Sequence, residues 1–321
     1  MDANLTEAHF SLRIIRLMSV IEYLLRLVIC FSELLGKING ESVMRDFQNK
    51  IAVITGGASG IGRGLAERCA REKMKVVLAD VEETALDQTA QELKNAGADV
   101  LAVRTDVSKS EEIEALANKT LDAFGAVHLL FNNAGVGAGT TVWESALTDW
   151  EWVLGVNLWG VIYGVRTFVP IMLKQNEESH IVNTASIAGL TTGPSLGVYK
   201  VSKHGVVSLS ETLACELAII GSKIKVSVLC PAGVNTRIMN SERNRPAEMQ
   251  NDSAVESTHP AVKQMDEMLR QLVETGMSPA QIADAVFDAI RSEKFYILTH
   301  AEMKPMLQKR MEDILQERNP C

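Results

Sequence analysis

The sequence predicts an α/β protein built on a doubly wound parallel sheet of about seven strands, with helices on both faces. Three observations predict it. Apolar runs of strand length alternate with segments of helical periodicity from about residue 49 to residue 299. The runs are nearly continuous in Val, Ile, Leu and Ala, the pattern of strands covered on both faces. A glycine-rich turn follows the first run and opens the first helix, and sheets of this kind bind ligands outside the carboxyl ends of their strands.

The first strand, Ile51–Thr55, runs into Thr55-Gly-Gly-Ala-Ser-Gly-Ile-Gly62. Gly56, Gly60 and Gly62 allow a tight turn. They let backbone N–H groups, with Ser59 and Ile61 between them, approach a pyrophosphate at a helix N-terminus, where the dipole favours negative charge. A helix over 62–72 follows. The second strand, 75–79, delivers Asp80 about twenty residues on, where a carboxylate can accept both ribose hydroxyls of an adenosine and repel a 2′-phosphate. That favours NAD as cofactor, with NADP as the alternative, because Arg63 sits just past the glycine turn. Asp80 could instead cap the helix over 82–96. The third strand, 100–105, ends at Asp106 and Val107, suited to an adenine edge, and a helix over 109–124 follows it. The fourth, 127–132, ends in Asn132-Asn133-Ala134-Gly135, small residues where a cofactor would pass close to backbone. A long helix over 149–174, a strand over 180–185, a helix over 199–220 and strands over 224–230 and 295–299 complete the alternation.

Two segments flank this domain. Residues 1–45 form an extension whose apolar stretch, 10–38, carries charges at Arg13, Arg16, Glu22, Arg26, Glu33 and Lys37. No uncharged run approaches the ~20 residues of a spanning helix, and no signal cleavage site is evident. At 100° per residue, Glu22, Arg26, Glu33 and Lys37 fall within about 60° of one another. The segment reads as an amphipathic helix whose wide apolar face is covered by a membrane interface, another subunit or the main domain. Arg13 and Arg16 could snorkel toward head groups. Beyond the domain (46–300), residues 301–321 form a helical tail opened by Pro305.

The chain has 321 residues and a net charge of -8 without any Lys/Arg run, which argues against a nucleic-acid partner. Five scattered cysteines lack C-x-x-C spacing, so we expect reduced thiols in a cytoplasmic compartment and no metal site. His128, His180 and His204 are not spaced as ligands and read as structural.

The strongest chemical signal is Tyr199 with Lys203. Positions i and i+4 share a helix face. Two unit charges about 4 Å apart at an effective dielectric of ~20 interact by ~4 kcal/mol. Since ~1.4 kcal/mol corresponds to one in pKa, Lys203 could lower the Tyr199 pKa from ~10 by up to about three. That would place the phenol near neutral pH, where a general base works best.

With these pieces assembled, the chain resembles the short-chain dehydrogenase/reductase family, in its subgroup of about 250 residues and Rossmann-type fold. The motifs stand in family order: T-G-G-A-S-G-I-G from Thr55, N-N-A-G from Asn132, Asn157 in a helix, Ser186, Y-K-V-S-K from Tyr199 and P-A-G-V-N-T from Pro231. Ala232 departs from the glycine that many members carry. The resemblance implies Tyr199 as acid/base and Lys203 holding the nicotinamide ribose, so that the base is fully competent only with dinucleotide bound. It implies Ser186 orienting the substrate carbonyl and Asn157 anchoring a proton-relay water. Pro231, Val234 and Thr236 would contact the carboxamide. Ser186, Tyr199, Ile187 and Leu190, with Val136, Pro194 and Leu196, would line the substrate pocket under a lid over 237–277. The implied activity is hydride transfer between NAD(P) and an apolar secondary alcohol or ketone, in a homodimer or homotetramer; the amphipathic pattern of 10–38 separately suggests peripheral membrane contact. The rivals are a dinucleotide-binding sensor and a membrane-associated scaffold with little turnover.

Overall fold

The computed structural model describes residues 44–251 and 259–320. The amphipathic segment 10–38 lies outside the described residues. Seven parallel strands form one sheet in the order β3-β2-β1-β4-β5-β6-β7. They are β1 Ile51–Thr55, β2 Lys75–Asp80, β3 Val100–Arg104, β4 Leu129–Asn132, β5 Ser179–Thr184, β6 Ile224–Leu229 and β7 Tyr296–Ile297. Each face takes alternate side chains, as the two-residue strand period requires. Ala52 and Ile54 point to one layer, Ile51 and Val53 to the other.

On the first face lie α1 (Gly60–Arg71), α2 (Glu83–Asn95) and α8 (Pro279–Arg291). Leu65, Leu86, Leu93, Ile282 and Phe287 meet the sheet there. On the second lie α3 (Ser110–Phe124), α5 (Gly160–Gln175) and α6 (Gly197–Ile219). Ile113, Leu116, Phe168, Met172, Leu213 and Leu217 fill that layer. The segment Leu147–Gln175 is apolar and long enough to cross a membrane, with a mean hydropathy of 1.4. Part of it is core: Phe168 and Met172 have no exposed surface, and an apolar inner helix of a layered α/β fold passes the same test as a spanning one.

Four departures from the sequence expectation have local causes. The helix expected over 149–174 begins earlier, as α4 (Leu147–Leu154), and is broken by a π-helical turn, Gly155–Trp159, before α5. Such turns insert one residue and often mark functional sites, and this one holds Asn157. The second departure is α8, absent from the sequence reading although Ser278 and Gln281 form a capping box with Pro279 at the first turn, a readable start signal. A further helix, α7 (Pro260–Glu274), stands in the segment expected as a lid, and none of its residues is fully buried. Finally, β7 is only two residues long, pairing Val228 with Tyr296 and Leu229 with Ile297, because the chain beyond it turns in toward the end of β6. The C-terminal helix is α9, Lys304–Leu315.

α8 is held by an aromatic junction. Phe287 has its ring centroid 5.0 Å from Phe47 and 6.4 Å from Phe131, and it has no exposed surface. Replacing Phe287 by Ala should lower the unfolding free energy by ~3–5 kcal/mol. Urea denaturation checks this, with a lower midpoint expected at unchanged slope.

Candidate active site

A cleft of about 1810 Å³ opens along the carboxyl ends of the strands. Its floor begins at the glycine turn. Gly56 sits at a φ of +64°, and a Cβ there would lie 2.9 Å from Ala134 Cα, so the turn and the end of β4 approach as only glycine permits. Thr55 stitches the two together: its Oγ1 donates to Phe131 O at 3.2 Å and accepts from Asn133 N at 2.9 Å and Ala134 N at 3.1 Å. Asn133 Nδ2 donates back to Thr55 O at 3.0 Å.

Asp80 accepts from Ala58 N at 3.0 Å and Glu82 N at 3.1 Å. It braces the turn between β2 and α2 rather than capping the first turn of α2. Burial pushes its carboxyl above the usual range, opposed by the backbone N–H groups of Glu82 and Ala58. A carboxylate has about four acceptor sites, so capacity remains toward the cleft it lines. Arg63, the reason for keeping NADP as the alternative, is engaged by Glu67 at 2.9 Å and Glu92 at 2.6 Å.

At the other end of the cleft stand Ser186, Tyr199 and Lys203. Ser186 follows β5, Tyr199 opens α6, and Lys203 lies one turn on. The Lys203 side chain is almost fully buried, and its Nζ donates to Thr184 O at 2.8 Å. Nζ also lies 5.6 Å from the Tyr199 ring centre. Burial pulls the Lys203 ammonium down to about 8. Burial likewise pushes the Tyr199 phenol above its ordinary value, with a hydrogen bond to Ser186 opposing it. The lowered phenol pKa expected from the Tyr199–Lys203 spacing is therefore not met by the protein's own groups, because desolvation outweighs the hydrogen bond to Ser186. Ser186 Oγ accepts from Ala188 N at 3.1 Å and donates to Pro231 O at 3.3 Å. The second bond is long, and such a bond exchanges readily for a better acceptor.

Most of the sequence-derived residues line this one cleft: Gly56, Ser59, Gly60, Ile61, Asp80, Asp106, Val107, Asn133, Ala134, Gly135, Pro231, Val234 and Thr236, with Ser186, Ile187, Tyr199 and Lys203. Three do not. Gly62 is buried beneath the turn, where a Cβ would run into Gly56 O. Asn157 has no exposed surface; its carboxamide accepts from Val136 N at 2.8 Å and donates to Val136 O at 2.9 Å and Ser202 Oγ at 3.1 Å. It thus supports the wall from behind. Leu190, expected in the substrate pocket, packs instead with the cluster of Val206, Val207 and Cys230, because the 3-10 turn Ile187–Gly189 rotates it away from the cleft. Pro194 is likewise outside the lining, whereas Val136 and Leu196 belong to it.

The segment after β6 covers the cleft and is tied down at both sides. Arg243 donates to Glu82 at 2.7 Å and Asn244 to the same carboxylate at 3.1 Å, joining the segment to the β2–α2 turn. Arg245 is buried against Asp149 at 2.7 Å, with its guanidinium 5.0 Å from the Trp152 ring centre. From α7, Asp266 accepts from Ser195 Oγ at 2.7 Å. The α7 wall of the cleft carries Lys263, Asp266, Glu267 and Arg270 beside Leu269 and Val273, more charge than an apolar lid would show. His128 and His180 have structural roles. His128 Nδ1 accepts from Ile51 N at 3.2 Å, and His180 bonds Ser227 Oγ at 2.8 Å. Among the described residues no group of three His, Cys, Asp or Glu could hold a metal ion, and Cys69, Cys215 and Cys230 are free thiols. Sequence reasoning passed over His300, which bonds the loop after β6; the register of the two-residue β7 that brings it there has no sequence signal.

Comparison with known proteins places this geometry. The family profile described as short chain dehydrogenase matches residues 50–247. A short chain dehydrogenase/reductase from Burkholderia phymatum, solved in complex with NAD, superposes with a TM-score of 0.83 at 50% identity, covering 87% of this chain and 98% of that one. The CLA biosynthesis dehydrogenase/reductase of Lactiplantibacillus plantarum is 34% identical over 277 residues, 86% of this chain and 97% of its own. A C alpha-dehydrogenase from a Sphingobium species is 32% identical over 273 residues, 85% of this chain and 87% of its own. With a seven-stranded parallel sheet and the six motifs in order, the chain belongs to the short-chain dehydrogenase/reductase family of oxidoreductases.

Proposed function

We propose that this protein is an NAD-dependent oxidoreductase that interconverts an apolar secondary alcohol and its ketone, with Tyr199 as the acid/base. One observation carries the reading: Ser186, Tyr199 and Lys203 share a single cleft with the glycine turn and Asp80, as a reaction joining a dinucleotide to a carbonyl requires. The residues fit the cofactor. The glycine turn offers backbone donors at the N-terminus of α1, where a pyrophosphate is favoured. Asp80 offers acceptor capacity for ribose hydroxyls, and the Lys203 ammonium stands beside Gly135 and Thr184. NAD, when bound, supplies the hydride acceptor for alcohol oxidation, and its reduced form supplies the donor for the reverse.

Ser186 donates to the substrate oxygen in place of its long bond to Pro231 O and fixes that oxygen beside Tyr199. In oxidation the phenolate of Tyr199 takes the hydroxyl proton as the carbon–hydrogen bond breaks. In reduction the phenol returns that proton to the developing alkoxide. Two hydroxyl donors at one oxygen stabilise the charge that develops there. Asn157, fixed by Val136 and Ser202 within the π turn, holds that wall in place. Val136, Ile187, Leu196, Ile238 and Met249 give the inner pocket its apolar lining, and the charged residues of α7 suit a polar outer end of the substrate. Residues 237–277 act as the lid. Exposed Trp159 and Val201 on the helices of the second face support assembly as a homodimer or homotetramer.

Three measurements test this reading. A screen of hydrophobic secondary alcohols and ketones with both cofactors should find turnover, and Tyr199→Phe should abolish nearly all of it while NADH still binds in a fluorescence titration. Substantial residual turnover in that variant would sink the mechanism. NADH should bind about tenfold or more tightly than NADPH, since a 2′-phosphate would meet the Asp80 carboxylate while Arg63 is already paired, and like-charge juxtaposition is costly. Equal affinity refutes the NAD preference. The raised Tyr199 pKa fixes the sign of the pH dependence. The base form is populated only as pH rises, so kcat/KM for alcohol oxidation should climb through the alkaline range, and that for ketone reduction should not. A pH–rate profile in both directions checks it.

A further inference from the structure

We propose that His300 is a positioning residue for the nicotinamide end of the cofactor, acting through the loop Pro231–Thr236; the proposal rests on the NAD reading above. The strand register brings it there. β6 and β7 run parallel with Leu229 level with Ile297, so Ala232 and His300, three residues beyond each, emerge side by side. The imidazole straddles the loop. Ala232 N donates to His300 Nδ1 at 3.1 Å, and His300 Nε2 lies 3.0 Å from Gly233 O. The first bond requires a bare Nδ1, so the proton is on Nε2 and is donated to Gly233 O. The Thr299 hydroxyl lies 2.8 Å from Nδ1 and, with that nitrogen bare, points its proton to it.

The other side of the loop is held independently. Gly233 O also accepts from Met277 N at 3.0 Å, and Asn235 N donates to Met277 O at 2.9 Å. A Cβ on Gly233 would run into Leu272 O, so the loop is wedged against the end of α7 with no slack on that side. His300 supplies the opposing contact and thereby fixes the plane of the Ala232 and Gly233 peptides. Pro231, Val234 and Thr236, at either end of those peptides, line the cleft within one short loop of Ser186. Ser186 itself donates to Pro231 O, so the orientation of this loop reaches both the cofactor and the serine that receives the substrate.

A group that only stabilised the fold would affect every ligand alike. One that orients this loop affects only ligands that reach it. The test therefore compares NADH with ADP-ribose, which carries the adenosine and pyrophosphate but no nicotinamide, by calorimetric titration of the full chain. His300→Ala, and His300→Phe, which keeps the ring volume without either bond, should weaken NADH about tenfold and leave ADP-ribose within about twofold, a loss of ~1.4 kcal/mol confined to one end of the cleft. His300→Gln should recover most of the NADH affinity, because a carboxamide presents an acceptor and a donor in the same 1,3 relation as Nδ1 and Nε2. Unchanged NADH affinity in the Ala and Phe variants, or parallel loss of both ligands, overturns the proposal. Failure of the unmodified protein to bind either ligand overturns the NAD reading instead, so the two failures are distinct.

Discussion

The sheet reverses its order of growth at β1, and most of the site follows from that. From β1 the chain builds outward through β2 and β3, then returns to the other side of β1 and continues through β4 to β7. The connections after β1 and β4 consequently leave in opposite directions, and a crevice opens between them at the carboxyl ends. Thr55, last residue of β1, closes the bottom of that crevice by bonding the end of β4 with its hydroxyl. Both glycine turn and N-N-A-G segment take their positions from this junction.

Desolvation governs the reactive end. Lys203 is a buried cation whose Nζ donates to a backbone carbonyl, and burial moves it and Tyr199 in opposite directions, both toward the neutral forms. A pair in this condition responds strongly to any charge brought into the cleft, because a low-dielectric surrounding magnifies each added interaction. The site is thus poised by its burial, and its acid–base behaviour depends on what occupies it.

The covering segment illustrates how a surface connection becomes a defined wall. Its two anchors differ in kind. Arg243 and Glu82 form a partly exposed pair, which contributes little and can open. Arg245 and Asp149 are both nearly inaccessible, and loss of one partner there would strand a buried charge, which is strongly destabilising. The segment is therefore fixed at its base beside Trp152 and releasable beside the β2–α2 turn, an arrangement suited to a wall that must admit a long ligand.

Much of this was legible in the sequence because local pattern decides it. Continuous apolar runs dictated a parallel sheet covered on both faces, the glycine spacing dictated a tight turn before α1, and four-residue spacing put Tyr199 and Lys203 on one helix face. Ser278-Pro279 with Gln281 would have marked α8 had it been read as a capping box. Other features were decided only by packing. The π turn that aims Asn157 at Val136 depends on contacts between helices, and the rotation of Leu190 out of the pocket depends on a single 3-10 turn. The direction of the Tyr199 shift required knowing how deeply the pair is buried, since spacing specifies the attraction and only the surrounding protein specifies the desolvation. His300 belongs to the same class: its partners lie nearly seventy positions away in the chain, and strand register alone makes them neighbours.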